Sequence, residues 1–473
     1  MRGPTFLEQA ETTGHRRRTT VRRAIRQDSP APVAHVQYPS TSPVYRASGR
    51  CHVGGIVRRR ATRPSVFRSA EFRALWVAEL VSICGDQLAR VAFSVLVYGR
   101  TGSAAWAAAV YALTFLPALL GGVLLGWVAD RFRRREVMVL ADVARALLVV
   151  PLAIPGIPLA LLCPLLVLVV VLASPHTAAQ GALLPDVLDS EELLERGFAV
   201  RQITNQTAQI AGFAVGGVLL VLISPSVAIL VNSGTFLLSA LFVRFGVRRR
   251  AAPVAVSDGA GPAALSWLAD IHRGARTVFS HPRLRTLALA VWLVGGYVAP
   301  EALAVPLADE LGAGSWAVGL LMAADPAGSV LGALVISRWV PERLRERAVL
   351  PCSALAGLPL VASMFVPNVA AIVVLWAVTG ALCTAALVPA QAVFVRSTPD
   401  EVRGRATGLA ASGLIAAQGL AILVCGFLAE RWGAPLAVGV CGAAGALLAT
   451  ALMITRGART ERAPHRVRAA QEG

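Results

Sequence analysis

The chain is 473 residues long, 56% of them hydrophobic and only 15% charged, with a positive mean hydropathy. A water-soluble enzyme of this size would need a far more polar surface, so this surface must face the lipid bilayer. The formal net charge of +18 suggests a nucleic-acid partner, but no lysine occurs. The arginines collect in the first 73 positions, in alternate loops and in the last 18 residues, which is how cytoplasmic segments of a membrane protein are marked. No nucleic acid is expected, beyond incidental binding of anionic lipid or RNA by a solvated arginine tail.

Residues 1–67, rich in Arg, Ser, Thr and Pro, cannot bury enough apolar surface to fold alone and are expected to be a disordered cytoplasmic tail. They lack the apolar core and cleavage site of a signal peptide. The alternative is a start of translation nearer the first span. Six apolar stretches follow, near 72–98, 104–129, 136–155, 158–178, 199–223 and 226–246. Each suffices to cross a hydrocarbon layer of about 30 Å as a helix. Runs such as Leu159 to Ala173 are apolar at nearly every position, whereas barrel strands would alternate. The first bundle is set at 68–247. Residues 248–284 read as a cytoplasmic linker, with RRRAAPVAVSDGAGP flexible and AALSWLADIHRGARTVF an amphipathic interfacial helix. Six more spans follow near 285–307, 315–338, 348–366, 368–393, 405–429 and 434–455, forming a bundle over 285–456 before a cytoplasmic tail at 457–473.

Loop charge tests this count. Loops assigned to the inside carry Arg131, Arg133, Arg134, Arg135, then Arg196 and Arg201, then Arg244, Arg248, Arg249 and Arg250. In the second bundle they carry Arg338, Arg343, Arg345, Arg347, Arg396, Arg403 and Arg405, against only Arg100 and Arg431 outside. One missed or invented span would scramble that asymmetry, so both termini are expected in the cytoplasm. The two sets also repeat: LLPDVLDSEELLERGFAVRQITNQTAQIAG between spans four and five parallels LVPAQAVFVRSTPDEVRGRATGLAASG between spans ten and eleven. The sequence thus predicts an all-α membrane protein with 12 transmembrane helices in two six-helix pseudo-symmetric halves, an arrangement common among transporters.

After span two stands GWVADRFRRR. It resembles the loop two-three motif of the major facilitator superfamily, with Gly126, Asp130, Arg131, Arg134 and Arg135 matching and Arg133 standing where that motif has its second glycine. FRALWVAELVSICGDQLARVAFSVLVYGRTGSA, ALLPDVL, APEALAVPLADELGAG and LLMAADPAGSVLGA are similar to the macrolide and siderophore exporter branch. Drug-proton antiporters of the superfamily often carry Gly-Pro-x-x-Gly-Gly in span five, where this chain has Gly212, Phe213, Gly216 and Gly217. The resemblance implies efflux of a small amphipathic molecule through a midplane cavity, driven by a proton gradient, with no cofactor and no metal. An importer or facilitator of the same fold and a non-transporting scaffold or sensor remain the rivals. Substrate, coupling ion and oligomeric state are left open, a monomer being compatible.

Gly126 permits close helix approach while Asp130 and the arginines can latch the cytoplasmic face in one state; ordinary stop-transfer charge is the other reading. Ionisable groups inside spans are costly and default to function. Glu79, Asp86 and Arg90 are spaced seven and four apart on one helical face. Either Asp86 and Arg90 neutralise each other, or Asp86 or Glu79 takes up a coupling proton. Asp142 and Arg145 are spaced to pair at i, i+3. Glu301 follows Pro300 and Asp325 precedes Pro326, at points where a helix can bend; both are further coupling candidates. Gln202, Asn205, Gln206 and Gln209 in span five, with Gln391 and Gln418, line a cavity or serve as interhelical glue. Lone His176 reads as a satisfied helix residue, and the cysteines in the spans as small core residues without metal-ligand spacing. The absence of GxxxxGK[ST], HExxH and GxSxG motifs argues against ATP-driven export and enzyme chemistry.

Overall fold

A computed structural model describes residues 65–125, 127–252, 274–399 and 402–469, without the side chains of Val123 and of residues beyond Thr455 in the last helix. Residues 1–64 of the expected tail at 1–67, Gly126 and most of the linker, including residues 263–273 of the expected amphipathic helix, lie outside the described residues. The tail's last residues are ordered, Val66 being buried in a short 3-10 turn over Val66–Arg68.

Helix occupies every predicted span. In the first half these are α1 (Ala70–Thr101), α2 (Ala104–Ala112 continued by Leu116–Leu125), α3 (Arg134–Leu152), α4 (Leu159–Val187), α5 (Glu191–Leu222) and α6 (Pro225–Gly246). In the second they are α7 (Pro282–Gly296 with the short pieces Ala299–Ala302 and Ala304–Glu310), α8 (Ser315–Arg338), α9 (Glu342–Leu355 with Gly357–Ser363), α10 (Val369–Ser397), α11 (Arg403–Trp432) and α12 (Ala434–Ala469). Among the described residues, nine helices are long and apolar enough to cross a membrane, ten when the pieces of α7, bent by 45°, count as one span. The other two expected spans, α3 and α9, are helical but enter with charge, Arg134, Arg135 and Glu136 in one and Glu342, Arg343, Arg345, Glu346 and Arg347 in the other.

Sequence chemistry explains where helices start and break. Ser69, Ser103, Ser190, Ser224 and Asn368 each accept a hydrogen bond from the backbone N–H three residues on, satisfying a donor that the first turn leaves orphaned. Pro117 lacks the N–H needed to continue α2, and the chain turns over Leu113–Phe115 just before it. Pro300 and Pro306 accompany the breaks of α7. Several boundaries differ from expectation, and α4 runs on to Val187, past the end expected near 178. The serine cap starts α5 at Glu191, so Arg196 and Arg201 sit on the helix rather than in a loop. α12 continues to Ala469, past the predicted end of its span.

The helices alternate direction, giving one end that bears the arginine clusters and one that is arginine-poor. Within the first half α1 packs on α5 and α6, and α3 on α4 and α6; within the second α8 packs on α10, and α9 on α10 and α12. Large side chains such as Leu147, Leu222 and Leu447 point outward, exposed, as a lipid-facing surface requires. The halves meet where α5 crosses α8 and α2 crosses α11. These four spans are rich in small residues, with the runs LLGGVLLG, GFAVGG, AGSVLGA and GLAASG in the sequence. At the first crossing Gly217 and Gly319 touch backbone to backbone: a Cβ on either would lie 2.6 Å from the other's Cα. One apolar core, including Ala108 and Phe213 from the first half with Leu303, Leu321 and Ile422 from the second, joins the halves there. Toward the arginine-rich end the cores separate, one built on Phe72, Met138 and Leu184, the other on Leu287, Val349 and Phe394.

Candidate functional site

The ionisable residues inside the spans form two groups. The first lies within the first half. Arg145 donates through one Nη to both Asp86 oxygens, at 3.2 and 3.1 Å, and lies 3.8 Å from Asp142. Its guanidinium stacks 3.9 Å from the centre of the Phe236 ring. Asp142 is wholly buried, accepts from the Ser239 hydroxyl at 2.6 Å and meets His176 Nε2 at 3.4 Å. Asp86 keeps a third of its side chain exposed (33%), in a cavity of about 530 Å³ walled by α1, α2, α3, α4 and α6. Arg90, Phe93, Thr114, Arg145, Ser174 and Asn232 share that wall. The volume falls in the range of small-molecule sites, and the lining is mostly apolar with a few convergent polar groups.

Of the two readings of Asp86, the one that pairs it with Arg90 is therefore corrected. Asp86 takes its cation from α3, while Arg90 lies with its guanidinium 5.0 Å from the Phe115 ring centre. The i, i+3 pairing of Asp142 with Arg145 is present, though long, and the hydrogen bond that Asp142 accepts comes from Ser239. His176 is thus not merely a satisfied helix residue: it packs against a buried carboxylate. Nothing in the local pattern SPHTAAQ signals this, because its partner is thirty-four positions away.

The second group lies between the halves. The Tyr111 hydroxyl on α2 donates to Glu301 Oε2 on α7 at 2.6 Å, and both side chains are buried. Asp325 and Arg90 lie within electrostatic reach of Glu301. Asp325 is wedged against α10, where a Cβ on Gly380 would lie 2.8 Å from its Oδ1. Further toward the arginine-poor end, Tyr98 donates to Asp309 at 3.2 Å, and Glu430 accepts from the Ser103 hydroxyl at 2.9 Å and the Ala105 N–H at 3.2 Å. Each of these bonds also joins the halves. Sequence reasoning passed over Tyr111, whose polar tip in the run AAWAAAVYALTF was the available signal.

The remaining candidates disperse. Glu79 makes a bidentate pair with Arg201 of α5, both contacts 2.8 Å, inside the first half. Gln209 donates to Asn205 at 2.6 Å and to Gln206 at 3.3 Å, so these amides bond along α5 itself, and Gln202 is exposed. None of them lines the first-half cavity. Gln391 lines a smaller cavity with Phe394 and Thr407, and Gln418 packs beside Gly295. Asp130 and Arg131 are exposed. Arg134 bonds Asp186 at 2.6 Å and Arg135 the Val247 carbonyl at 3.1 Å, tying α3 to α4 and to the exit of α6 within one half. Among the described residues no group of three or more His, Cys, Asp and Glu is arranged to hold a metal ion.

Comparison with known proteins places this architecture. The sequence matches the model of the Major Facilitator Superfamily over residues 75–303 and again over 287–472. It is 27% identical over 373 residues to the multidrug efflux pump Tap of Mycolicibacterium fortuitum, covering 75% of this chain and 88% of that one. It is 26% identical over 381 residues to the uncharacterized MFS-type transporter YfiS of Bacillus subtilis, covering 78% and 89%. Among solved structures, a bacterial homolog to the human lysosomal transporter Spinster, in an inward-facing and occupied conformation, aligns with a TM-score of 0.67 at 14% identity over 83% of this chain and 97% of that one. That likeness is one of fold. With two family matches that together span nearly all of its helices, the chain belongs to the major facilitator superfamily of membrane transporters.

Proposed function

We propose that this transporter exports small amphipathic molecules from the cytoplasm by alternating access, with proton entry as the driving force and Asp86 as the proton-accepting carboxylate. The observation that carries the reading is Arg145 set between two carboxylates at the edge of a cavity. When Asp86 takes a proton, Arg145 keeps Asp142 and the Phe236 face, so no cation is stranded in the bilayer. Asp142, with no exposed surface, has no such access to water. The arginine-rich end then faces the cytoplasm, with both termini there and the cell membrane as the location, as arginine asymmetry favours. The structure corresponds in this reading to an inward-facing state, closed where Gly217 meets Gly319. The likeness to Tap supports a drug-like substrate and outward direction, and the mostly apolar cavity walls suit an amphipathic molecule, drug, macrolide or siderophore in kind.

One proton falling through about 100 mV yields about 2.3 kcal/mol, which supports roughly a fortyfold gradient of a neutral substrate. The test is dye efflux from cells, and dye uptake into everted vesicles, at two external pH values. Asp86→Asn is expected to abolish the pH-driven component while the protein still inserts. Retained pH-driven transport in Asp86→Asn removes Asp86 from the role, and substrate accumulation in intact cells reverses the direction.

A further inference from the structure

A second polar cavity, of about 160 Å³, opens at the arginine-rich end between the start of α3, the end of α4 and the segment leaving α6. Four guanidiniums line it, those of Arg134, Arg135, Arg248 and Arg250, with Asp186 among them. The charge does not balance. Arg134 pairs with Asp186, while Arg248 and Arg250 share one carboxylate, that of Glu71, at 3.2 and 2.7 Å. Among the described residues, four cations against two carboxylates leave a net charge of +2 (4 − 2). Arg135 has only the Val247 carbonyl among the described residues. Among the described residues the Nε atoms of both Arg134 and Arg135 are buried without an acceptor, so those residues do not exhaust the donors gathered here.

We infer that this cavity is a binding site for a phosphate-bearing anion. Planar guanidinium forks match phosphate oxygens two at a time, and a cluster of them makes a charge-assisted site that a carboxylate-poor wall cannot satisfy alone. The volume admits a phosphate and its immediate linking atoms but is too small for a drug-sized ligand. The elements that form it also carry exposed apolar side chains, Phe132 just before α3, Leu140 on α3 and Phe245 at the end of α6. Acyl chains of a phospholipid fit the apolar outer surface of these helices. Basic pockets at the ends of membrane helices take anionic headgroups by this chemistry, although a soluble phosphate has the same oxygens. The site stands on its own geometry and does not depend on the direction or coupling of transport.

The experiment measures thermal unfolding of the full-length protein in nanodiscs of phosphatidylcholine with and without phosphatidylglycerol, and in detergent with inorganic phosphate against chloride at equal ionic strength. Stabilisation by phosphatidylglycerol alone assigns a lipid headgroup, and stabilisation by phosphate in detergent assigns a soluble phosphate; either supports the site. Arg135→Gln is expected to weaken binding about tenfold, by loss of one fork, and Arg135→Lys, which keeps the charge for folding, to weaken it less. Arg249→Gln, whose side chain pairs with Glu136 outside the cavity, is expected to keep the full shift. No stabilisation by either anion, or equal shifts in Arg135→Gln, Arg135→Lys and Arg249→Gln, overturns the inference.

Discussion

At the arginine-poor end the two halves share one apolar core and side-chain hydrogen bonds that run from one half to the other, Tyr98 to Asp309, Ser103 to Glu430 and Tyr111 to Glu301. At the arginine-rich end each half keeps its own core and its own ion pairs: Glu79 with Arg201 and Glu71 with Arg250 in the first, Arg283 with Glu346 and Arg396 with Glu342 in the second. Contacts inside a half hold it as a body, whereas contacts between halves hold one arrangement of two bodies. A transporter that alternates must break the second kind and keep the first. The chemistry follows that division: the contacts to be broken rest on glycine, alanine and a few hydrogen bonds, and the bidentate charge pair of α1 with α5 is kept internal.

The largest effect is expected at the α5–α8 crossing. Gly217→Leu places a side chain where backbone atoms of Gly319 already stand 2.6 to 2.7 Å from the new Cβ, and the Ser315 carbonyl 2.9 Å from it. Neither neighbour is a flexible side-chain tip, so the helices must part. Overpacking of this kind costs about 1 to 3 kcal/mol, enough to move a two-state equilibrium by a factor of roughly 5 to 150. Electron-electron distance measurements between spin labels at Thr101→Cys and Trp432→Cys, at the arginine-poor ends of α1 and α11, should lengthen, and transport should be lost. Unchanged distances would mean that this crossing does not hold the halves together.

Next in size is the Tyr111–Glu301 bond. Tyr111→Phe removes a buried donor to a carboxylate, a contact worth about 1.5 to 3 kcal/mol, and should shift the same labelled pair toward separation by on the order of tenfold or more. Glu301→Gln leaves an oxygen that still accepts, so its shift should be smaller. The double variant should shift no further than Tyr111→Phe alone, since both remove one contact. Additive effects would show that Glu301 acts through Asp325 or Arg90 instead, and would sharpen the site toward those charges.

How much of this was legible in the sequence depends on the range of the interaction. Span positions, the arginine asymmetry and the small-residue content of α2, α5, α8 and α11 are local properties, and each recurs in the structure at the expected element. Asp86, Glu79, Glu301 and Asp325 could be flagged because a carboxyl group in an apolar run is conspicuous by itself. Their partners could not. Arg145 is fifty-nine positions from Asp86, Arg201 more than a hundred from Glu79, and Tyr111 nearly two hundred from Glu301. Helical spacing brought only the near neighbours into view, which is why Arg90 was weighed as the partner of Asp86. Helix ends failed for a related reason: the serine cap at Ser190 sits in a charged stretch that hydropathy alone reads as loop, beginning the span near 199 and leaving Arg196 outside the helix that carries it.

The smallest effect separates the two kinds of contact most cleanly. Glu79 is spaced with Asp86 and Arg90 along α1, and sequence alone gives it the same claim to a coupling proton. Its geometry differs: both oxygens are occupied by one guanidinium from the same half, and the pair is largely shielded, with 12% and 17% of the two side chains exposed. A proton arriving there would leave Arg201 without its counter-charge, whereas Arg145 beside Asp86 has Asp142 in reserve. Glu79→Gln should therefore act on the stability of the first half and not on coupling, by about 1 to 3 kcal/mol for a charge left unpaired in a partly shielded place. Thermal unfolding should fall by several degrees while the spin-label distances and the pH dependence of efflux per folded molecule hold. The opposite pattern, normal unfolding with the pH-driven component gone, would return Glu79 to the coupling role and show that an ion pair inside one half also takes part in the exchange between states.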